Sequence, residues 1–146
     1  MKIGVDWGGT KIEAVLINSS DGAEVNRLRI DSPQDDYEAI IKGVVDLIEK
    51  ISTSYENFTV GIGMPGSLHP ETGLVQVSNT KALENKPVKK DLESLLGYEV
   101  MIANDADCLA LSEAIDGAGK GYSSVFAVIL GTGVGAGYVV DEKLIE

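Results

Sequence analysis

The spacing of hydrophobic positions predicts three strands followed by a helix in the first third of the chain. Apolar residues recur at every second position over 1–6, 11–18 and 24–30, and short polar turns separate these segments. They should form an antiparallel meander, with 24–30 nearest an edge. Over 37–51 apolar residues recur every three or four positions, which predicts an amphipathic helix capped by Asp35 or Asp36.

Beyond this helix, short apolar runs between glycines and prolines predict alternating strands and helices. Strands are expected over 58–64 and 100–102, and a short helix over 88–96 that ends at Gly97. A second helix is expected over 106–115, with Asn104 as its N-cap and Asp105 in its first turn. Cys108 and Leu109 are expected to face the sheet.

Two segments combine a strand, a glycine turn and a second strand. In the first, IGVDWGGTKIEAVL at 3–16, the strand ends in Asp6 and the turn carries Gly8, Gly9, Thr10 and Lys11. Glycine amides can approach an anion closely, and a carboxylate at a strand end can hold Mg²⁺. The alternative is an ordinary tight hairpin. The second segment, 125–140, repeats the pattern with Gly131, Thr132 and Gly133, which favours a nucleotide held between two related halves.

Other polar residues lie where strands end. Pro65 and Gly66 follow the strand over 58–64, at the kind of edge where α/β sheets bind ligands. Asn79 carries an amide that suits a pair of sugar hydroxyls, although asparagine is also a common turn residue. Asp105, at a helix N-terminus, should stay ionised and can accept a proton, although such a residue often only caps a helix.

Composition limits the function classes. The 146 residues suit one domain with a real core, and the formal net charge of -11 argues against nucleic acid or an anionic membrane as a partner. A single cysteine excludes an internal disulfide, and no stretch has the composition of a secretion signal or a membrane span. A reducing, cytoplasmic location is the expectation.

Five motifs together resemble the ROK family of sugar kinases, and they occur in that family's order. They are VDWGGTK at 5–11, GMPGS at 63–67, NTKAL at 79–83, ANDAD at 103–107 and LGTGVGAG at 130–137. The resemblance implies an α/β, actin-like ATPase (ribonuclease H-like) domain with a mixed five-stranded sheet and flanking helices. It places this domain at 1–117, and the first glycine hairpin of a second, missing domain at 118–146.

The same resemblance implies a role for each candidate. Asp6 corresponds to the carboxylate associated with Mg²⁺, and Asp105 to the general base that also contacts the sugar. The implied ATP phosphate contacts are Gly8, Gly9, Thr10, Lys11, Gly131, Thr132 and Gly133. The implied sugar contacts are Pro65, Gly66, Asn79 and Asn104.

The implied activity is ATP-dependent phosphorylation of a hexose hydroxyl, with a fructokinase-like enzyme as the first expectation. The alternatives are an N-acetylglucosamine kinase or glucokinase of the same family, or a sugar-responsive ROK regulator. The family's second domain carries further sugar and ATP contacts and a structural zinc site, so this chain is expected to be an inactive portion of a homo-oligomeric enzyme. Related members often carry an aromatic residue near Ala82, and its absence leaves the hexose open.

Overall fold

The computed structural model describes residues 1–33, 35–76, 78, 80–130 and 134–145. Its contacts divide it into two compact units, Met1–Ala103 and Asn104–Glu146. A short 3₁₀ turn covers Lys81–Leu83. In chain order the other elements are β1 (Lys2–Trp7), β2 (Lys11–Ile17), β3 (Glu24–Asp31), α1 (Tyr37–Ser52), β4 (Thr59–Met64), β5 (Ser67–Leu68), β6 (Val75–Gln76), α2 (Val88–Leu96), β7 (Met101–Asn104), α3 (Asp105–Ile115), β8 (Ser124–Leu130), β9 (Val134–Val140) and β10 (Lys143–Leu144).

A mixed five-stranded sheet, in the order β3-β2-β1-β4-β7, forms the basis of the first unit. The predicted antiparallel meander of β1, β2 and β3 is confirmed, and β3 lies at the edge. β4 pairs with β1 in parallel, with Asp6 opposite Gly63, and α1 lies in the connection that such a pair requires. The carboxyl ends of β1 and β4 therefore meet at the same edge of the sheet.

Helix α1 supplies one side of the core of this unit. Its N-cap is Asp36, whose carboxylate accepts a hydrogen bond from the Ala39 amide at 3.1 Å, while Asp35 precedes it in a left-handed conformation with φ 66°. The apolar stripe of α1 packs on β2 and β3, and its buried residues share one core with alternate residues of β1 and β2. These core residues include Ile3, Val5, Trp7, Ile12, Ala14, Leu16, Ile40, Ile41, Val44 and Ile48.

The second unit packs α3 on a three-stranded antiparallel sheet in the order β10-β9-β8. The buried positions of α3 are Ala106, Ala110 and Ala114, which are four residues apart and share one face. The expectation that Cys108 faces the sheet is wrong, because its side chain is exposed. Small residues occupy the buried face since the helix backbone lies directly on Gly137 of β9, where larger side chains have no room.

The opposite face of the β8–β9 hairpin is apolar and exposed. Phe126 pairs with Tyr138 and Leu130 with Val134, and Leu130 and Val134 are 80% and 78% exposed. The contacts group α3 with this hairpin, so the structure divides at Ala103–Asn104. The domain boundary predicted after residue 117 stays a prediction.

Candidate active site

A backbone hydrogen bond between Gly8 and Lys11 closes the β1–β2 turn. The Gly8 amide donates to the Lys11 carbonyl at 2.9 Å, which leaves Gly9 and Thr10 at the exposed tip. A Cβ atom at position 8 would lie 2.9 Å from that carbonyl oxygen, so the turn requires glycine there. The Thr10 carbonyl accepts from the Ser32 amide at 2.9 Å and fixes the turn to the end of β3. The structure therefore presents this predicted phosphate turn as an ordered, solvent-facing loop.

Asp6 lies on β1 opposite Glu13 of β2, and its side chain is exposed. Arg29 and Arg27 both pair with Glu13, and the hydrogen bond from Arg29, followed by that from Arg27, holds the pKa of Glu13 below its usual range. The negative charge of Glu13, which lies opposite Asp6, is thus already balanced by two arginines. An exposed carboxylate at a strand end fits Mg²⁺ that keeps most of its waters. Within the described ranges, no three His, Cys, Asp or Glu residues are grouped to form a closed metal site.

The Pro65–Gly66 turn follows β4 at the same edge. Pro65 is buried, and Gly66 has φ 97°, a conformation that favours glycine. The chain then forms the short β5–β6 hairpin, which the sequence pattern did not predict. His69 lies at the tip of this hairpin and accepts a hydrogen bond from the Glu71 amide through Nδ1 at 3.2 Å. That contact gives this histidine a turn-forming role.

Two residues that sequence reasoning missed connect these turns. The Ser78 hydroxyl donates to the Pro65 carbonyl at 3.0 Å and accepts from the Thr80 amide at 3.1 Å. A Cβ built on Gly9 would lie 3.9 Å from Thr80 Oγ1, so Thr80 lies beside the glycine turn. The predicted phosphate turn and the predicted sugar turn of the first unit are therefore neighbours. Only the motif position of Asn79 between Ser78 and Thr80 could have drawn attention to them.

Asn104 and Asp105 belong to the second unit, where they begin α3. The predicted cap is confirmed, because Asn104 Oδ1 accepts from the Ala106 amide at 2.9 Å. Asp105 Oδ1 accepts from the same amide at 2.8 Å, and the Asp105 side chain is exposed in the first helical turn. This arrangement places the Asp105 carboxylate beside the first amides of the helix.

Four predicted site residues, Asn79, Gly131, Thr132 and Gly133, lie outside the described residues. On either side of positions 131–133, Leu130 of β8 pairs with Val134 of β9, and this is the last pair of the β8–β9 register. No helix in the described part of the chain is long and apolar enough to cross a membrane.

Comparison with known proteins gives consistent matches along the whole chain. The chain is 41% identical over 148 residues to an N-acetyl-D-glucosamine kinase from Haemophilus influenzae, covering 99% of this chain and 47% of that protein. It is 41% identical over 145 residues to the N-acetylgalactosamine kinase AgaK from a Shewanella species, covering 99% of this chain and 46% of that protein. The chain thus spans about half the length of the curated relatives it matches.

A solved structure also matches the fold of this chain. A ROK family glucokinase from Streptomyces griseus, in complex with glucose and AMPPNP, superposes with a TM-score of 0.85 at 30% identity, covering 99% of this chain and 46% of that one. The α/β, actin-like fold expected from the motifs is confirmed by this match. The model of the ROK family matches residues 2–146, and the chain therefore belongs to the ROK family.

Proposed function

We propose that this chain is the N-terminal part of an ATP-dependent kinase for 2-acetamido hexoses, with N-acetylglucosamine as the first candidate substrate. The observation that carries the proposal is 41% identity to an N-acetyl-D-glucosamine kinase along 99% of the chain. The relative that acts on N-acetylgalactosamine supports the same substrate class. These relatives favour the N-acetyl sugar kinase alternative over the fructokinase-like enzyme that the sequence first suggested.

The arrangement of the first unit supports phosphoryl transfer. The glycine turn at Gly8–Lys11 and the Pro65–Gly66 turn lie at one sheet edge, with Thr80 between them and Asp6 at the end of β1. Backbone amides of the glycine turn would bind nucleotide phosphates, while the Pro65–Gly66 turn, Asn79 and Asn104 would bind the sugar. Gly131, Thr132 and Gly133 would complete the phosphate contacts.

In the proposed reaction, the oxygen of a sugar hydroxyl attacks the γ-phosphorus of ATP, and the bond to the ADP oxygen breaks. Asp105, whose exposed carboxylate lies in the first turn of α3, takes the proton from that hydroxyl. Mg²⁺ bound with the nucleotide would neutralise phosphate charge, and Asp6 would hold it, directly or through water. The chain's own role is to align the two substrates and stabilise the transferred phosphate.

A coupled assay for ADP release tests the proposal on the protein expressed from its intact gene. The substrate panel should contain N-acetylglucosamine, N-acetylgalactosamine, glucose and fructose at equal concentrations, with a reaction lacking sugar as the blank. We expect kcat/KM to be highest for an N-acetyl sugar. A preference for fructose, or ADP release that does not depend on any of the four sugars, would contradict the substrate class.

A further inference from the structure

Ser78 is one of three buried polar residues in the part of the chain that the structure describes. The others are Ser32 and Ser52, and all three side chains are between 7% and 8% exposed. A buried hydroxyl is stable only when hydrogen bonds replace the water it has lost. Ser78 meets this requirement with two hydrogen bonds to backbone groups. One is to Pro65, which lies 13 positions away in the sequence, and the other is to Thr80.

These two bonds add a side-chain link between segments that the β5–β6 pairing also brings together. Pro65 begins the turn after β4, and Thr80 precedes the 3₁₀ turn at Lys81–Leu83. The hydroxyl acts as donor to one segment and acceptor to the other, so neither an alanine nor a purely apolar side chain can replace it. The glycine turn does not depend on this link, because the Gly8 amide and Lys11 carbonyl close it directly.

We infer that Ser78 is a positioning residue for the sugar, which holds the Pro65–Gly66 turn and the Thr80 segment together as one rim of the sugar site. The inference rests on the proposed function for the assignment of Pro65, Gly66 and Asn79 to the sugar. Its structural part, the link itself, rests on the two hydrogen bonds alone. Loss of the hydroxyl removes a buried hydrogen bond to the Pro65 carbonyl and a partly buried one from the Thr80 amide, so the rim should lose its fixed geometry.

The test compares Ser78→Ala, Ser78→Thr and Ser52→Ala in the protein expressed from its intact gene. Ser52 is the matched control, since it is equally buried and its hydroxyl donates to the Glu49 carbonyl at 3.2 Å, far from the proposed site in the sequence. NMR hydrogen exchange measures protection of the Thr80 amide without any ligand. NMR titrations then measure affinity for N-acetylglucosamine and, separately, for a non-hydrolysable ATP analogue.

In Ser78→Ala we expect the Thr80 amide to exchange at least roughly tenfold faster and the sugar affinity to fall roughly tenfold. Nucleotide affinity should change less than about twofold, because the glycine turn keeps its own closing bond. Ser78→Thr keeps a hydroxyl and should restore both sugar affinity and protection, and Ser52→Ala should resemble the wild type in each measurement.

Three results would overturn the inference. Unchanged exchange at Thr80 in Ser78→Ala would show that the link does not hold this segment. Equal losses of sugar and nucleotide affinity, or the same losses in Ser52→Ala, would reduce Ser78 to a general packing role. If the wild-type protein from the intact gene binds no sugar while Ser78→Ala still exposes Thr80, the proposed function fails and Ser78 is a contact of the fold without a positioning role.

Discussion

Replacement of Gly137 by alanine should destabilise the second unit, because α3 rests directly on this position of β9. A Cβ atom at 137 would lie 2.7 Å from the Ala106 carbonyl oxygen, 2.7 Å from Ala110 Cβ and 2.9 Å from Asp107 Cα. Two of these three neighbours are backbone atoms, which cannot move without moving the helix. Overpacking of this kind typically costs about 1–3 kcal/mol.

Gly61 of β4 provides a matched control in the other unit. It is also a strand glycine, but a Cβ atom built on it meets nothing within 4 Å. Alanine there should be neutral, or stabilising by about 0.4–1 kcal/mol through the unfolded state. The two variants should therefore differ by roughly 1–4 kcal/mol in the free energy of unfolding.

Urea unfolding followed by circular dichroism measures this difference, with amide exchange in α3 to assign it to the second unit. Trp7, the only tryptophan, is buried in the first unit. Its fluorescence therefore reports on the unfolding of that unit separately. We expect Gly137→Ala to lower the dichroism midpoint and to accelerate exchange in α3. If the free energy of unfolding of Gly137→Ala lies within about 0.5 kcal/mol of that of Gly61→Ala, α3 does not rest on β9 as described.

Three further predictions concern chemistry, association and charge. Asp105→Asn, in the protein from the intact gene, should lower kcat by about 10² to 10⁴ while sugar still binds, and a near-normal kcat would remove Asp105 from the mechanism. The 146-residue chain should self-associate through the exposed face of β8–β9, and Leu130→Lys should shift its sedimentation towards monomer, whereas a monomeric wild type refutes this. Glu13→Gln should lower the unfolding midpoint at neutral pH, because the folded-state pKa of Glu13 is depressed below its ordinary value of 4.5. That contribution is present above 4.5 and is lost as the pH falls through the folded pKa, so the wild-type and variant midpoints should converge in acid, and a constant difference would contradict the assignment.

The strands and helices with regular patterns could be predicted from the sequence because their burial is periodic. α1 is the clearest case, since its apolar stripe recurs at helical spacing and only the choice between Asp35 and Asp36 as cap stayed open. The glycine hairpin at Gly8 and the cap at Asn104 were predictable for a similar reason. In both, the donor and the acceptor of the hydrogen bond that forms the feature lie within four residues of one another along the chain.

Features that depend on tertiary contacts or on unusual backbone were not predictable. α3 is apolar on several sides, so its pattern did not indicate that alanines rather than Cys108 would be buried; Gly137 decides that. β10 was missed because the turn before it uses Asp141 and Glu142 with φ 47° and 60°, in place of the glycine or asparagine expected there. The link made by Ser78 escaped notice since a serine in a loop usually forms a local turn.

The contact between α3 and β9 also bears on how the proposed site would be assembled. Asp105 immediately precedes Ala106, whose carbonyl lies against Gly137, so the helix end that carries the proposed base is placed by the hairpin. The segment 131–133, which follows β8 and precedes β9 in the sequence, carries the second set of proposed phosphate contacts. A displacement of β9 would displace Asp105, because the α3 backbone lies against Gly137. Since proton transfer requires hydrogen-bond distances, we expect the close packing at Gly137 to hold the proposed base in place more tightly than loop contacts could.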